Sequence, residues 1–367
     1  MKKLLALILA LALCLGLCAC GDDSAYGGDS ATEDTTPTEP EAPKVEDDGI
    51  LRILMLGASL GVDSAYLLPA IMEAEGMTDF EIGIMYGSYS AGLHRKWFSS
   101  GARKYCYREY TWGQDTTWRR ADHNGNFHTS IPGEANDTLI ADGTIDQPME
   151  YAIERRDWDI VVILGSSKEQ PNVLPADSTY AFHAENYQAW MDFVLEHDPV
   201  KETKPKFAYH MVWSCSNDQS QYIDSRWEFI NTYYADSEQP DLDIYKDGAA
   251  TVKEYIVPMG FDYVLPTGTA MQNAKNVMFG KELYRDSGHA SDYGRLVAGY
   301  TWFCMLTGKD IKECKIGPFH YESMLDQAAR LLKKPVELTQ LQKDVLVESV
   351  SNAINNPFEV TPSQYSK

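Results

Sequence analysis

Short, nearly unbroken apolar runs, separated by stretches with helical spacing, constrain this chain more than any other feature. Ile50 to Gly57, Phe80 to Tyr86, Asp159 to Leu164, Phe207 to Trp213 and Tyr263 to Leu265 each read as a strand. Ile160-Val161-Val162-Ile163-Leu164 has no polar residue, so both of its faces must be covered, as in a parallel sheet with helices on either side. Helical spacing fills the gaps: Asp63 to Gly76, then near 146–156, 179–196, 223–236, 247–257, 292–307, 321–333 and 337–353. Strands alternating with helices predict an α/β fold, a three-layer α/β/α sandwich around a central, mostly parallel sheet. Residues 101–130 break this rhythm with Tyr105, Tyr107, Tyr110, Trp112, Trp118 and Phe127 interleaved with arginines. They predict an inserted β-hairpin or loop near the carboxyl edge of the sheet, either packed locally or serving as an aromatic wall for a sugar ring.

The N-terminus reads as an address rather than as part of the fold. Lys2 and Lys3 precede an apolar run, Leu4 to Leu17, that is short for a bilayer span. It ends in Leu17-Cys18-Ala19-Cys20-Gly21, which resembles a bacterial lipobox. That resemblance implies cleavage before Cys20, lipidation of its thiol and an extracytoplasmic domain anchored to the bacterial cell membrane by lipid alone. Residues 21–49 hold ten acidic residues against the single base Lys44 and show no apolar periodicity, so they predict a disordered acidic tether. Residues 50–367 are then the folded domain.

The net charge of −22 argues against a nucleic-acid partner, since phosphate binding needs basic patches. Four cysteines lie in the domain: Cys106, Cys215, Cys304 and Cys314. An oxidising compartment permits disulfides among them, and four cysteines allow three full pairings; four free thiols fit equally well. His94, His123, His128, His183 and His210 show no metal-ligand spacing, so neither a metal nor another cofactor is expected.

In an open α/β sheet, ligands bind beyond the carboxyl ends of the strands, so the loops there are where chemistry is sought. After the first strand, Ser59 in Gly57-Ala58-Ser59-Leu60 precedes a helical pattern, and its N–H can face a developing oxyanion. Asp63 reads as a helix cap. After the second strand, Gly87 in Tyr86-Gly87-Ser88 can offer another backbone N–H. After the Ile160–Leu164 run, Ser166 and Ser167 in Gly165-Ser166-Ser167-Lys168-Glu169-Gln170 can add a donor. Near the C-terminus, Arg285-Asp286-Ser287-Gly288-His289 places a carboxylate and an imidazole three residues apart, and Ser291 is a natural N-cap for the helix that follows. A histidine that takes a serine's proton while a carboxylate fixes its tautomer is the arrangement of serine hydrolases.

These loops, in this order, resemble the sequence blocks of SGNH (GDSL-type) hydrolases, and most closely a bacterial branch of that superfamily carrying a domain of unknown function. The likeness runs from about residue 51 to 308. It is carried by Gly57-Ala58-Ser59-Leu60, Trp158-Asp159-Ile160-Val161, Pro266-Thr267-Gly268-Thr269-Ala270-Met271-Gln272-Asn273-Ala274 and Arg285-Asp286-Ser287-Gly288-His289-Ala290-Ser291. It implies a flavodoxin-like α/β/α sandwich and an acyl-enzyme mechanism. Ser59 would be the nucleophile, His289 the general base and acid, and Asp286 the residue that orients it. The Ser59 and Gly87 N–H groups and a side chain of the third block would form the oxyanion hole. Two departures stand out. Ala58 replaces the family's asparagine, and the third block offers Ser166 and Ser167 where an amide side chain is usual.

The reading is a surface-anchored serine esterase that removes acyl groups, acetyl above all, from carbohydrate or another small ester. The altered third block leaves a second reading: a carbohydrate-binding lipoprotein that uses the same cleft without turnover.

Overall fold

The computed structural model describes residues 48–88, 90–113, 118–122, 124, 126–129, 147–200, 203–216, 228–278, 280–319 and 337–366. The signal segment, Cys20, nearly all of the acidic tether and the helix expected at 321–333 lie outside the described residues.

Eight strands form one sheet: β1 Leu51–Gly57, β2 Phe80–Tyr86, β3 Cys106–Thr111, β4 Arg119–Ala121, β5 Phe127–Thr129, β6 Ile160–Leu164, β7 Lys206–His210 and β8 Tyr263–Leu265. Their spatial order is β5-β4-β3-β2-β1-β6-β7-β8. The five strands from β2 to β8 through β1 run parallel; β3, β4 and β5 extend the β2 edge antiparallel. The described helices are α1 Ser59–Ala65, α2 Leu68–Ala74, α3 Ala91–Phe98, α4 Met149–Ile153, α5 Ala184–His197, α6 Glu228–Tyr233, α7 Pro240–Thr251, α8 Thr267–Lys275, α9 Gly280–Leu283, α10 Asp292–Thr307 and α11 Gln340–Asn355.

The central strands are buried on both faces, which is why their apolar runs are continuous. Ile53 and Met55 of β1, Ile82 and Ile84 of β2 and Ile160 and Val162 of β6 enter one core with α1, α2, α8, α10 and α11. Leu54, Leu56, Met85, Val161 and Ile163 enter the other, with residues of α3, α4, α5 and α7. The result is the expected three-layer α/β/α sandwich, and it lies within one compact unit, Asp47–Lys367. Among the described residues no helix is long and apolar enough to cross a membrane.

Local differences have local causes. The helix expected over Asp63–Gly76 is two helices. Pro69 sits in the first turn of α2 and has no N–H to continue a ladder from α1, so the chain breaks at Tyr66–Leu67. The strand expected over Phe207–Trp213 ends at His210, and residues 211–216 form a loop at its carboxyl end. The 101–130 insert supplies β3, β4 and β5, and it is packed locally. Tyr105, Tyr107, Tyr110 and Trp118 are all buried, and Trp112 is the exposed member at 38 %. Glu109, buried on β3, pairs with Arg119 at 2.8 Å and Arg155 at 2.6 Å and fastens the insert to the segment after α4. The aromatic residues therefore build core rather than a sugar-facing wall. The four domain cysteines are free thiols.

Candidate active site

The carboxyl end of β1 meets the carboxyl end of β6 at Gly57, where an added Cβ would lie 2.3 Å from the Leu164 Cβ. Glycine alone fits this close approach. The chain then turns at Ala58 into α1, with Ser59 as its first residue. The first turn of a helix leaves its N–H groups without intrahelical partners, so the Ser59 N–H has none within α1.

Ser59 and His289 are 230 residues apart, yet the fold brings His289 Nε2 to 2.9 Å from Ser59 Oγ. His289 Nδ1 lies 2.7 Å from Asp286 Oδ2. An ionised carboxylate only accepts, so Nδ1 carries the proton and donates it, and Nε2 accepts from the Ser59 hydroxyl. The second Asp286 oxygen accepts the Gly288 and His289 N–H groups, both at 2.8 Å. Burial alone would raise the Asp286 pKa. Hydrogen bonds from the His289 ring and N–H, the nearby imidazole charge and the Gly288 N–H outweigh that and hold the carboxyl well below the usual carboxylate range. Asp286 stays charged and orients the ring.

The loop that carries this pair is pinned from several directions. An isolated bridge joins Tyr284 to Ala290, and the Arg285 N–H donates to the His289 carbonyl at 3.0 Å. The Ser291 hydroxyl caps α10 as expected, accepting the Gly294 N–H at 3.1 Å. The 211–216 loop lies beneath: Trp213 Nε1 donates to the Gly288 carbonyl at 2.7 Å, and the Ser216 N–H to the Ser287 carbonyl at 2.9 Å. The Pro266–Ala274 segment explains itself here, because it forms the buried helix α8 under the same loop. The Gly268 N–H donates to the Met211 carbonyl, and an added Cβ would meet the Val212 oxygen at 2.5 Å. Sequence reasoning missed Trp213 by reading it as strand; the polar residues Ser214 and Ser216 just beyond it marked a loop.

The oxyanion side differs from expectation. The Gly87 N–H donates to the Gly57 carbonyl at 2.7 Å, continuing the β1–β2 ladder. Gly87 therefore does not offer that group to a substrate, and its small size serves packing: an added Cβ would lie 2.6 Å from the Tyr105 ring. In the third loop, the buried Ser166 oxygen accepts the Lys168 and Glu169 N–H groups at 3.3 and 3.4 Å and so caps a turn. Ser167 lines a cavity of about 10 Å³ with Gln170, Val212 and Trp213. The loop's carboxamide, Gln170, is committed elsewhere: Oε1 accepts the Val212 N–H at 3.0 Å and Nε2 donates to the Val212 carbonyl at 3.2 Å.

Two further groups hold these loops. Glu169 accepts the Ala91 N–H at 3.0 Å and the Tyr187 hydroxyl at 3.1 Å, joining the third loop to the start of α3, and burial pushes its pKa up to about 7. His94 donates from Nε2 to the Ser88 carbonyl and accepts the Tyr105 hydroxyl at 3.1 Å, and burial keeps it neutral, with its pKa down to about 3. Both support the second loop from inside the core. His210 is also sealed in the core, and His183 bonds the Ala176 carbonyl at 3.1 Å. Among the described residues no three His, Cys, Asp or Glu side chains converge as metal ligands.

Asp63 is not a helix cap. It lies within α1, 1 % exposed, and its carboxylate binds Arg285, Arg295 and the Ala290 N–H. Its place at the start of the helix expected over Asp63–Gly76 invites a cap assignment, and its partners lie more than 220 residues away, beyond any local sequence signal.

The fold resembles that of a solved protein, a DUF4886 family protein from Bacteroides uniformis ATCC 8492. The TM-score is 0.61 at 20 % identity, covering 87 % of this chain and all of that one. No curated protein matches the chain. The model of the DUF4886 family, a domain of unknown function, matches residues 140–335, a span that includes Asp286 and His289 and begins beyond Ser59. With more than half of its length matched in this way, the chain belongs to the DUF4886 family.

Proposed function

We propose that this chain is a serine esterase of the SGNH type that removes acyl groups, acetyl foremost, from carbohydrate at the bacterial surface. One observation carries the reading: the continuous relay from Ser59 Oγ to His289 Nε2 at 2.9 Å and from His289 Nδ1 to Asp286 Oδ2 at 2.7 Å. In the proposed reaction, His289 Nε2 takes the Ser59 proton as Oγ attacks the ester carbonyl. The tetrahedral oxyanion lies toward the first turn of α1 and the Ser59 N–H. Collapse expels the sugar alkoxide, which takes the proton from His289, and leaves acyl-Ser59. Water, deprotonated by the same ring, then attacks the acyl carbon, and the acid departs as Ser59 regains its proton. Asp286 keeps its negative charge throughout and stabilises the transient imidazolium. Surface anchoring through Cys20 rests on Lys2, Lys3, the apolar run and the Leu17–Gly21 segment. The carbohydrate assignment rests on that location and on the family likeness.

One observation favours a second reading, a carbohydrate-binding lipoprotein without turnover. The Gly87 N–H and the Gln170 amide are both spent inside the protein, which leaves the oxyanion side short of donors. Losing one such donor costs roughly a hundredfold or more in rate.

The test is acyl release by the full chain beside Ser59→Ala, with an aryl acetate and a panel of acetylated polysaccharides. Release that disappears in the variant supports the esterase. Polysaccharide binding by both proteins, with release by neither, supports the binding module.

A further inference from the structure

We infer that Asp63 is a positioning residue: it fixes His289 against Ser59 by tying the helix that carries the serine to the loop that carries the histidine. The inference rests on the Ser59–His289–Asp286 reading above. Asp63 lies four residues after Ser59 on α1, one helical turn away. Its Oδ2 accepts the N–H of Ala290, the residue after His289, at 2.9 Å. Its Oδ1 accepts Arg285 Nη1 at 2.9 Å and Arg295 Nη2 at 2.6 Å. Arg285 Nη1 also donates to the Ala290 carbonyl at 2.5 Å, so the backbone of Ala290 is held on both sides. Arg285 and Ala290 bracket the loop that contains Asp286 and His289, and one carboxylate holds both. The third partner, Arg295, is fixed on α10 directly after the loop, with its guanidinium over the Tyr66 ring of the α1–α2 junction at 5.2 Å.

A space-filling role does not require this arrangement. Well-packed apolar residues often match or exceed a buried ion network in stability, and the best-attested use of such a network is to set registry. Registry is what the proton relay needs, because a shift of about 1 Å at reacting groups can cost on the order of a hundredfold in rate.

Asp63→Asn in the full chain separates the roles. The carboxamide keeps the size and an acceptor for Ala290, but it turns an N–H₂ group toward guanidinium donors and removes the negative charge. With an aryl acetate, kcat should fall about 10- to 100-fold with KM little changed. An arm that needs no turnover follows the His289 Nδ1–H resonance by NMR, which should move in Asp63→Asn. Arg285→Gln leaves Asp63 paired with Arg295 and should show the fall in kcat and the resonance change at smaller size; it decides the matter where Asp63→Asn does not fold. A wild type without turnover whose His289 resonance moves in the variant sinks the esterase and keeps the positioning role. A wild type with turnover, and a folded variant with unchanged kcat and resonance, overturns the positioning role alone.

Discussion

The two sides of the cleft are built differently. On the proton-relay side, every polar group has a placed partner: Ser59 meets His289, His289 meets Asp286, and Asp286 accepts two backbone N–H groups. On the oxyanion side, several polar groups are engaged inside the protein. The Gly87 N–H completes the β1–β2 ladder, Ser166 caps a turn, and Gln170 clamps Val212. Proton transfer depends on side chains, which the fold can aim across long sequence separations. Oxyanion donors are largely backbone groups at strand ends, where the sheet itself competes for them. A cleft can therefore keep a complete relay while its oxyanion side is reduced.

The largest effect that would break this comparison is at Ser59. Ser59→Ala should lower acyl release by at least about a thousandfold while leaving the unfolding midpoint close to that of the wild type, as read by aryl acetate hydrolysis and thermal melts. Asp286→Asn should follow, with a fall of about a hundredfold to ten-thousandfold in kcat, because an uncharged partner no longer holds the imidazole tautomer. Protonation of Asp286 itself requires acid far below neutrality, since its carboxyl is held well under the usual range. Ser166→Ala sharpens the oxyanion side: its kcat should change less than about tenfold, whereas a hundredfold fall would identify its hydroxyl as a working donor.

The smallest effect concerns stability. Glu169 has its pKa raised from 4.5 to about 7 by burial, so the folded state binds more protons than the unfolded one between those values. Its contribution is fully present below pH 4.5 and is lost as pH rises through 7. Relative to Glu169→Gln, the wild type should lose thermal stability across that window, by a few kcal/mol at most. Melts at intervals across the window would measure it.

Much of this was readable in the residues. β2, β8 and α10 fall where the sequence places them, and β1 and β6 each begin one residue later, because continuous apolar runs and the Ser291 cap are local signals. Ser59, His289 and Asp286 were named from loop position and family likeness, and the fold brings them together. Partnerships formed across the sequence stayed hidden. The Gly87 N–H is taken by Gly57 through strand pairing, and Asp63 meets Arg285 and Arg295 only once α1 packs on α10. The insert's aromatic residues allow a packed hairpin or a ligand wall until β3 joins the β2 edge and Tyr105, Tyr107, Tyr110 and Trp118 are buried. Composition shows that a side chain is amphipathic; tertiary packing decides which of its faces is used.

The most direct test of the relay is intact-mass analysis of the full chain after exposure to an alkyl fluorophosphonate, which modifies a serine only when its proton has an acceptor and its Oγ can attack. The account predicts a single phosphonyl adduct, mapped by peptide fragmentation to Ser59 and absent from Ser59→Ala. An unmodified wild type, or an adduct on another serine, would contradict it.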